Sequence, residues 1–278
     1  MDVLSRNHVR FYGDGPRTLV LAHGFGCDQT MWRYVVPHLS SDYRLVLFDY
    51  VGSGQSDPEA YTSDRYNTLE GYATDVLEVC EAVADTPVDF VGHSVSAMIG
   101  VLASLRAPER FRTLTHVCPS PCFLNHPPDY YGGFSREDLE DLIALVRQNE
   151  PAWVQALAPA VAMNPERPEV QAELEERFCE LPPTVAYDFA RATFLADHRA
   201  ELAAVPVPSL VLYSRTDAIV PPGVIGFMRE HLPRATFLEL DVSGHLPHLS
   251  DPEQTADALR AFFDAHASAH RLPGPSAR

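Results

Sequence analysis

With 278 residues, 46% of them hydrophobic, the chain can bury one large core or two ordinary ones, and a formal charge of −17 with no basic cluster to offset it argues against nucleic acid or an anionic membrane surface as partner. All 21 basic residues are arginine, and no basic N-terminal stretch leads into a long apolar run, nor does any apolar run of about eighteen residues follow, which reads as a cytoplasmic chain without export signal or membrane span. The five cysteines, Cys27, Cys80, Cys118, Cys122 and Cys179, are odd in number, lack Cys-x-x-Cys spacing and read as reduced structural thiols.

Val9 to Tyr12 alternates like an edge strand and turns at Gly13-Asp14-Gly15-Pro16. Thr18 to Ala22 is a continuous apolar run, as expected of a strand covered on both faces, and ends at the glycine-rich loop His23-Gly24-Phe25-Gly26. Arg44 to Phe48 is the next buried strand and runs into a second such loop, Asp49 to Asp57. No Gly-x-Gly-x-x-Gly opens a helix after a first strand, so a dinucleotide cofactor is not expected. Apolar residues at Leu69, Tyr72, Val76, Leu77 and Val83 suit an amphipathic helix between Tyr66 and Ala84.

The run Pro87-Val88-Asp89-Phe90-Val91 then meets Gly92, Ser94 and a helix-forming stretch to about Leu105, which puts Ser94 on a tight strand-to-helix turn. Such a turn needs small residues two before and two after the serine. Gly92 and Ser96 are both small, although the regular pattern has glycine at each place. Leu114 to Cys118 gives one more strand.

Between Asn125 and Asp197 the strand pattern stops, and proline breaks the stretch into four helical segments. Ser135 and Asp138 make a capping box for the first. Trp153, Leu157 and Val161 mark the second, Leu174, Phe178 and Cys179 the third, and Val185, Phe189, Ala192 and Phe194 the fourth. A stretch this long is a cap over one end of the sheet rather than a loop, and its aromatic residues either line a pocket or hold the cap down. The sheet resumes with Ser209 to Tyr213, followed by a loop carrying Asp217, and ends with Thr236 to Leu240, followed by Gly244-His245; Asp251 caps a closing helix to about Ala265. Seven strands are read along the chain, five of them before the cap, and the fold class expected is α/β: a mainly parallel eight-stranded sheet flanked by helices, with the four-helix cap inserted after the sixth strand. Residues 1–124 and 198–266 form the core, 125–197 the cap, and 267–278 a disordered tail.

Loops beyond the carboxyl ends of parallel strands gather on one edge, and Phe25, Ser94, Val95, Asp217 and His245 all belong to such loops. A serine hydroxyl attacks well only when an imidazole takes its proton, and the imidazole needs a carboxylate to fix its tautomer. The order Ser94, Asp217, His245 is that of α/β-hydrolases, and the backbone N–H groups of Phe25 and Val95 are the donors available to an oxyanion. The competing residues are less well placed. His93 is expected to point away from Ser94, His248 lies at the start of the last helix, His23 reads as a structural hydrogen-bonder, and Asp241 shares the connection that carries His245.

Several longer stretches go further. Asn7-His8-Val9, Gly24-Phe25-Gly26-Cys27-Asp28-Gln29, Phe48-Asp49-Tyr50-Val51-Gly52-Ser53-Gly54, Gly92-His93-Ser94-Val95, Pro119 to Asn125 and Tyr130-Tyr131-Gly132-Gly133-Phe134 resemble the RsbQ-like α/β-hydrolases of bacterial stress signalling, and are similar to the plant strigolactone and karrikin receptors, which also carry serine at the place of Ser96. The resemblance implies an α/β-hydrolase fold with a four-helix cap over a closed hydrophobic pocket, a Ser94, His245, Asp217 triad, and oxyanion donors at Phe25 and Val95. By position it makes Phe123, Phe134, Trp153, Phe194, Ala218 and Ile219 pocket residues. It implies cofactor-independent hydrolysis of small apolar esters or lactones, or, as the alternative role, ligand sensing followed by binding of a signalling protein partner.

Overall fold

The computed structural model describes residues 2–148, 150–165 and 167–266. Among them, seven strands form one sheet in the order β1-β3-β2-β4-β5-β6-β7. They are β1 (Arg10–Tyr12), β2 (Thr18–Ala22), β3 (Arg44–Leu47), β4 (Val88–His93), β5 (Phe111–Val117), β6 (Ser209–Thr216) and β7 (Ala235–Ser243). Only β1 runs antiparallel, pairing Phe11 with Val46; every other pairing is parallel. The expected eighth strand is therefore absent from the described residues, and the insertion follows the fifth strand rather than the sixth. The reason lies ahead of β1. Val3–Arg6 coils into a single helical turn whose N-terminus is capped by Asp2, and the buried Asn7 side chain donates to the Asp49 carbonyl at 2.9 Å, so the described residues ahead of β1 are not in strand conformation.

Period-two alternation sends side chains to both faces of the central strands. Val20, Val46 and Phe90 join one core, while Leu19, Leu21, Leu45 and Val91 join the other. Each such fully buried side chain contributes about 2 kcal/mol. Asp89 interrupts the apolar run of β4, and it is paired at once: Arg17 and Arg112 donate to it at 2.9 Å and Thr113 Oγ1 at 2.7 Å.

On the first face α1 (Leu69–Val83) buries Leu69, Tyr72, Val76, Val79 and Val83 beside α2 (Val95–Arg106), the helix that β4 feeds. Between β5 and β6 come four helices, α3 (Arg136–Gln148), α4 (Glu150–Ala162), α5 (Pro168–Glu180) and α6 (Pro183–Phe194). The capping box at the start of α3 is present, with the Ser135 N–H donating to Asp138 Oδ2 and the Asp138 N–H to Ser135 Oγ. After β6 follow α7 (Pro222–His231) and the closing α8 (Pro252–Ala265), which Asp251 caps through the Gln254 N–H.

The insertion packs over the carboxyl ends of the strands. Phe25, in the loop after β2, meets Trp153, Phe178, Phe189 and Phe194 at ring-centroid distances of 5.4 to 6.1 Å. Gly26 has φ +72°, and a Cβ there would lie 2.2 Å from the Phe178 ring, so this close approach of loop and insertion requires glycine. No helix among the described residues is long and apolar enough to cross a membrane. The tail 267–278, expected to be disordered, lies outside the described residues.

Candidate active site

Ser94 sits between the last residue of β4 and the first of α2 with φ 54° and ψ −119°. This conformation costs a non-glycine residue on the order of 1–3 kcal/mol and persists only where the surroundings impose it. They do so from both sides: the Ser94 N–H donates to the Val117 carbonyl at 2.8 Å, and the Ala97 N–H donates back to the Ser94 carbonyl at 2.9 Å. A Cβ on Gly92 would stand 2.4 Å from the Ser96 carbonyl oxygen, which is why strand and helix meet this closely only with glycine there. Ser96 is not a mere filler. Its hydroxyl donates to the His23 carbonyl and accepts from the Tyr50 hydroxyl at 2.8 Å, so the residue that departs from the regular pattern ties the start of α2 to the loops after β2 and β3.

The Ser94 hydroxyl donates to His245 Nε2 at 2.8 Å, and His245 Nδ1–H donates to Asp217 Oδ2 at 2.7 Å. The other Asp217 oxygen accepts from the Ile219 and Val220 N–H groups at 2.8 and 3.2 Å. Burial would by itself raise the Asp217 carboxyl, but the adjacent His245 and its hydrogen bond, helped by those two N–H groups, hold it below the usual carboxylate range. The loop carrying His245 is held from the insertion, where the Val161 carbonyl accepts its N–H at 2.8 Å.

The competing side chains all have other partners. His93 Nε2–H donates to the His245 carbonyl at 2.8 Å, so it braces the main chain of that loop and does not reach Ser94. Burial, with His248 and His245 nearby, lowers His93 well below the ordinary imidazole value and keeps it neutral. His248 stacks on Trp32 at 4.5 Å and is lowered to about 3, chiefly by burial. His23 accepts the Tyr50 N–H at Nε2 and donates from Nδ1 to the Gly24 carbonyl. Asp241 is exposed and pairs with Arg215 at 2.6 Å. Cys118 lies among the donor atoms of Asp217 and His245, where burial, with the Asp217 charge next, pushes its thiol up.

Above Ser94 is an apolar cavity of about 30 Å³, the room of a water molecule or two, lined by Phe25, Phe123, Phe194 and Ile219 among the sequence-predicted residues. Trp153 stands one layer back, fully buried against Phe178 at 4.7 Å. Phe134 and Ala218 line a separate open cleft of about 310 Å³, together with Leu142 and Ala160. Leu157 and Ile219 border both spaces and divide them. Sequence reasoning missed Cys27, Leu174 and Phe178 as lining residues. The i, i+4 spacing of Leu174 and Phe178 marked one buried helix face, and that was the available signal. Val95 opens α2, so its N–H lies outside the helical ladder, and the loop of Phe25 runs beside Ser94, where a Cβ on Gly24 would lie 3.5 Å from Ser94 Cβ.

A parallel sheet carrying a strained serine at a strand-to-helix turn, with histidine and aspartate on later loops, defines an α/β hydrolase, and the chain belongs to that family: the model of the alpha/beta hydrolase fold matches residues 17–252. More particularly, it is 40% identical over 261 residues to karrikin insensitive 2 receptor CA of Petunia hybrida, covering 93% of this chain and 96% of that one. It is 38% identical over 260 residues to strigolactone esterase D14 of Arabidopsis thaliana, covering 93% and 97%. Among solved structures, a hydrolase from Oleispira antarctica superposes with a TM-score of 0.92 at 42% identity, covering 95% of this chain and 96% of that one. The similarity to the plant receptors thus extends over nearly the whole chain.

Proposed function

We propose that the protein is a serine hydrolase of small apolar carboxylic esters or lactones, and that the carrying observation is the hydrogen-bonded run from Ser94 Oγ through His245 to Asp217 beneath an apolar cavity. In this reading His245 Nε2 takes the hydroxyl proton as Ser94 Oγ attacks the substrate carbonyl. The oxyanion that forms is held by the N–H groups of Phe25 and Val95, each worth roughly 3 kcal/mol in comparable sites. Asp217 stabilises the imidazolium. The proton then passes to the departing alcohol oxygen, leaving an acyl-Ser94 that water, activated by the same imidazole, hydrolyses. Residues 125–197 act as a lid, and no cofactor is required.

A second reading is favoured by the cavity itself. At about 30 Å³ it is far below the roughly 300 Å³ at which ligand pockets begin, so a ligand enters only if lining side chains or the lid itself give way. Occupancy is then coupled to the shape of the lid, which suits ligand sensing with slow turnover and a protein partner that reads the lid surface. One experiment separates the two. Hydrolysis of p-nitrophenyl acetate, p-nitrophenyl butyrate and a small lactone panel is compared between wild type and Ser94→Ala. Fast turnover that falls at least about a thousandfold in the variant supports a metabolic hydrolase. Slow, Ser94-dependent turnover with an accumulating acyl-enzyme supports sensing. Turnover unchanged in Ser94→Ala refutes both.

A further inference from the structure

Away from Ser94, the two ends of the insertion are joined by a cluster of side chains that the hydrolytic reading leaves unused. Cys122 and His126 precede α3, and Asp197 follows α6. Cys122 and Asp197 face each other in an isolated antiparallel bridge, and His126 pairs with Tyr130 through both backbone hydrogen bonds, at 2.8 and 3.1 Å. The Tyr130 hydroxyl donates to the Cys122 carbonyl, so the loop that carries the thiol and the imidazole is built rigidly. Cys122 Sγ lies 3.7 Å from His126 Nε2, and His126 Nε2 lies 3.8 Å from Asp197 Oδ2. All three donor atoms fall within 4.8 Å of one another.

Those separations carry information. Bond lengths of about 2.3 Å to sulfur and 2.0–2.2 Å to nitrogen or oxygen, set at tetrahedral angles, place ligand atoms about 3.4–3.6 Å apart. The two separations that involve His126 are within a few tenths of an ångström of that, and a thiolate, an imidazole and a carboxylate together select a borderline-soft divalent ion over magnesium or calcium. We propose that Cys122, His126 and Asp197 form a three-ligand site for a thiophilic divalent cation of the zinc class, which clasps the two stems of the insertion.

The fourth coordination position faces solvent, since the His126 and Asp197 side chains are both accessible while Cys122 is buried. One neighbour competes for the site. Arg199 donates to Asp197 Oδ1 at 2.8 Å and to Oδ2 at 2.6 Å, and its guanidinium stacks on Tyr130 at 4.7 Å. A metal at Oδ2 replaces the second of these bonds and leaves the first. The clasp adjoins the hydrolytic cavity at both stems: Phe123 follows Cys122, Phe194 precedes Asp197 by three residues, and the two rings meet at 5.3 Å above Ser94.

The test is titration of the reduced full chain with Co²⁺, followed by displacement with Zn²⁺. The expected result is one equivalent bound, with a near-ultraviolet sulfur-to-cobalt charge-transfer band that Zn²⁺ bleaches. The band disappears in Cys122→Ser, is retained in Cys118→Ala, and needs at least about tenfold more Co²⁺ in His126→Gln, an exposed change that leaves folding intact. Zn²⁺ raises the thermal midpoint of wild type and not that of His126→Gln. The proposal is overturned by the absence of a sulfur-to-cobalt band, by a band that survives Cys122→Ser, by one lost in Cys118→Ala, or by Co²⁺ affinity unchanged in His126→Gln.

Discussion

Replacing Asp217 by asparagine changes one atom and leaves the packing in place, yet the hydrogen-bond directions around it decide the effect on catalysis. Oδ1 accepts from the Ile219 and Val220 N–H groups, so the amide carbonyl must occupy that side, because an NH₂ there would meet two donors. The NH₂ group is then aimed at His245 Nδ1, now 2.7 Å away, and forces that nitrogen to become the acceptor. The proton moves to Nε2, the atom that faces Ser94 Oγ, and the imidazole can no longer accept the hydroxyl proton. A trapped tautomer of this kind costs about 10⁴ in kcat in a serine protease with the same relay, which corresponds to roughly 5–6 kcal/mol of barrier. We expect a loss of that order in kcat/KM for p-nitrophenyl butyrate. A second readout comes from linkage. The Asp217 carboxyl titrates lower in the folded than in the unfolded chain, so it contributes stability above the unfolded value near 4, and this is lost as pH falls through its folded value. Asp217→Asn should lack that share of the acid dependence. A loss of activity under about tenfold would refute the tautomer argument and move the base elsewhere.

Two further outcomes concern the site's supports. Gly92→Ala puts a Cβ 2.4 Å from the Ser96 carbonyl and 2.8 Å from the Ala97 nitrogen, both rigid backbone, so the urea midpoint should fall by the equivalent of about 3 kcal/mol or more; an unchanged midpoint would mean that the turn is looser than these distances require. His248 is held at about 3, below the ordinary 6.5, so the unfolded chain binds its proton first and stability is lost as pH falls from 6.5 towards 3. His248→Phe should flatten urea midpoints measured across that window, and a slope identical to wild type would refute the assignment.

The main chain of the site was legible because its signals are local. Buried strands announce themselves as apolar runs, and Gly92 with Ser94 reads as a tight turn because only small residues allow strand and helix to touch. The features that were not legible depend on contacts between distant segments. The seven strands read from apolar runs are the seven of the sheet, whereas the expected eighth had no run of its own, and the Asp2 cap and the Asn7 bond to Asp49 have no periodic signature. Ser96 looked like a departure from a motif, and only the folded chain brings His23 and Tyr50 to its hydroxyl. Helical period marked Leu174 and Phe178 as one face, but whether that face met the sheet or the cavity was set by how α5 crosses the loop of Phe25. Phe134 and Ala218 were separated from the cavity for the same reason: Leu157 and Ile219 stand between them and Ser94.

These contacts also determine how the cavity can open. The carboxyl end of α4 is bonded to the base loop, with the Val161 carbonyl accepting the His245 N–H and the Ala162 carbonyl oxygen resting 2.0 Å from where a Cβ on Gly244 would stand. Lifting α4 as a rigid body would therefore break the loop that positions His245 at the moment a ligand arrives. Moving the Leu157 and Ile219 side chains apart breaks no hydrogen bond of the Ser94, His245 and Asp217 run, and it joins the cavity above Ser94 to the cleft beside Phe134. Side-chain gating is thus compatible with hydrolysis, whereas displacement of α4 uncouples the base. On the proposed function, a ligand small enough to pass between Leu157 and Ile219 is expected to be turned over, and one large enough to raise the helix to be held without hydrolysis.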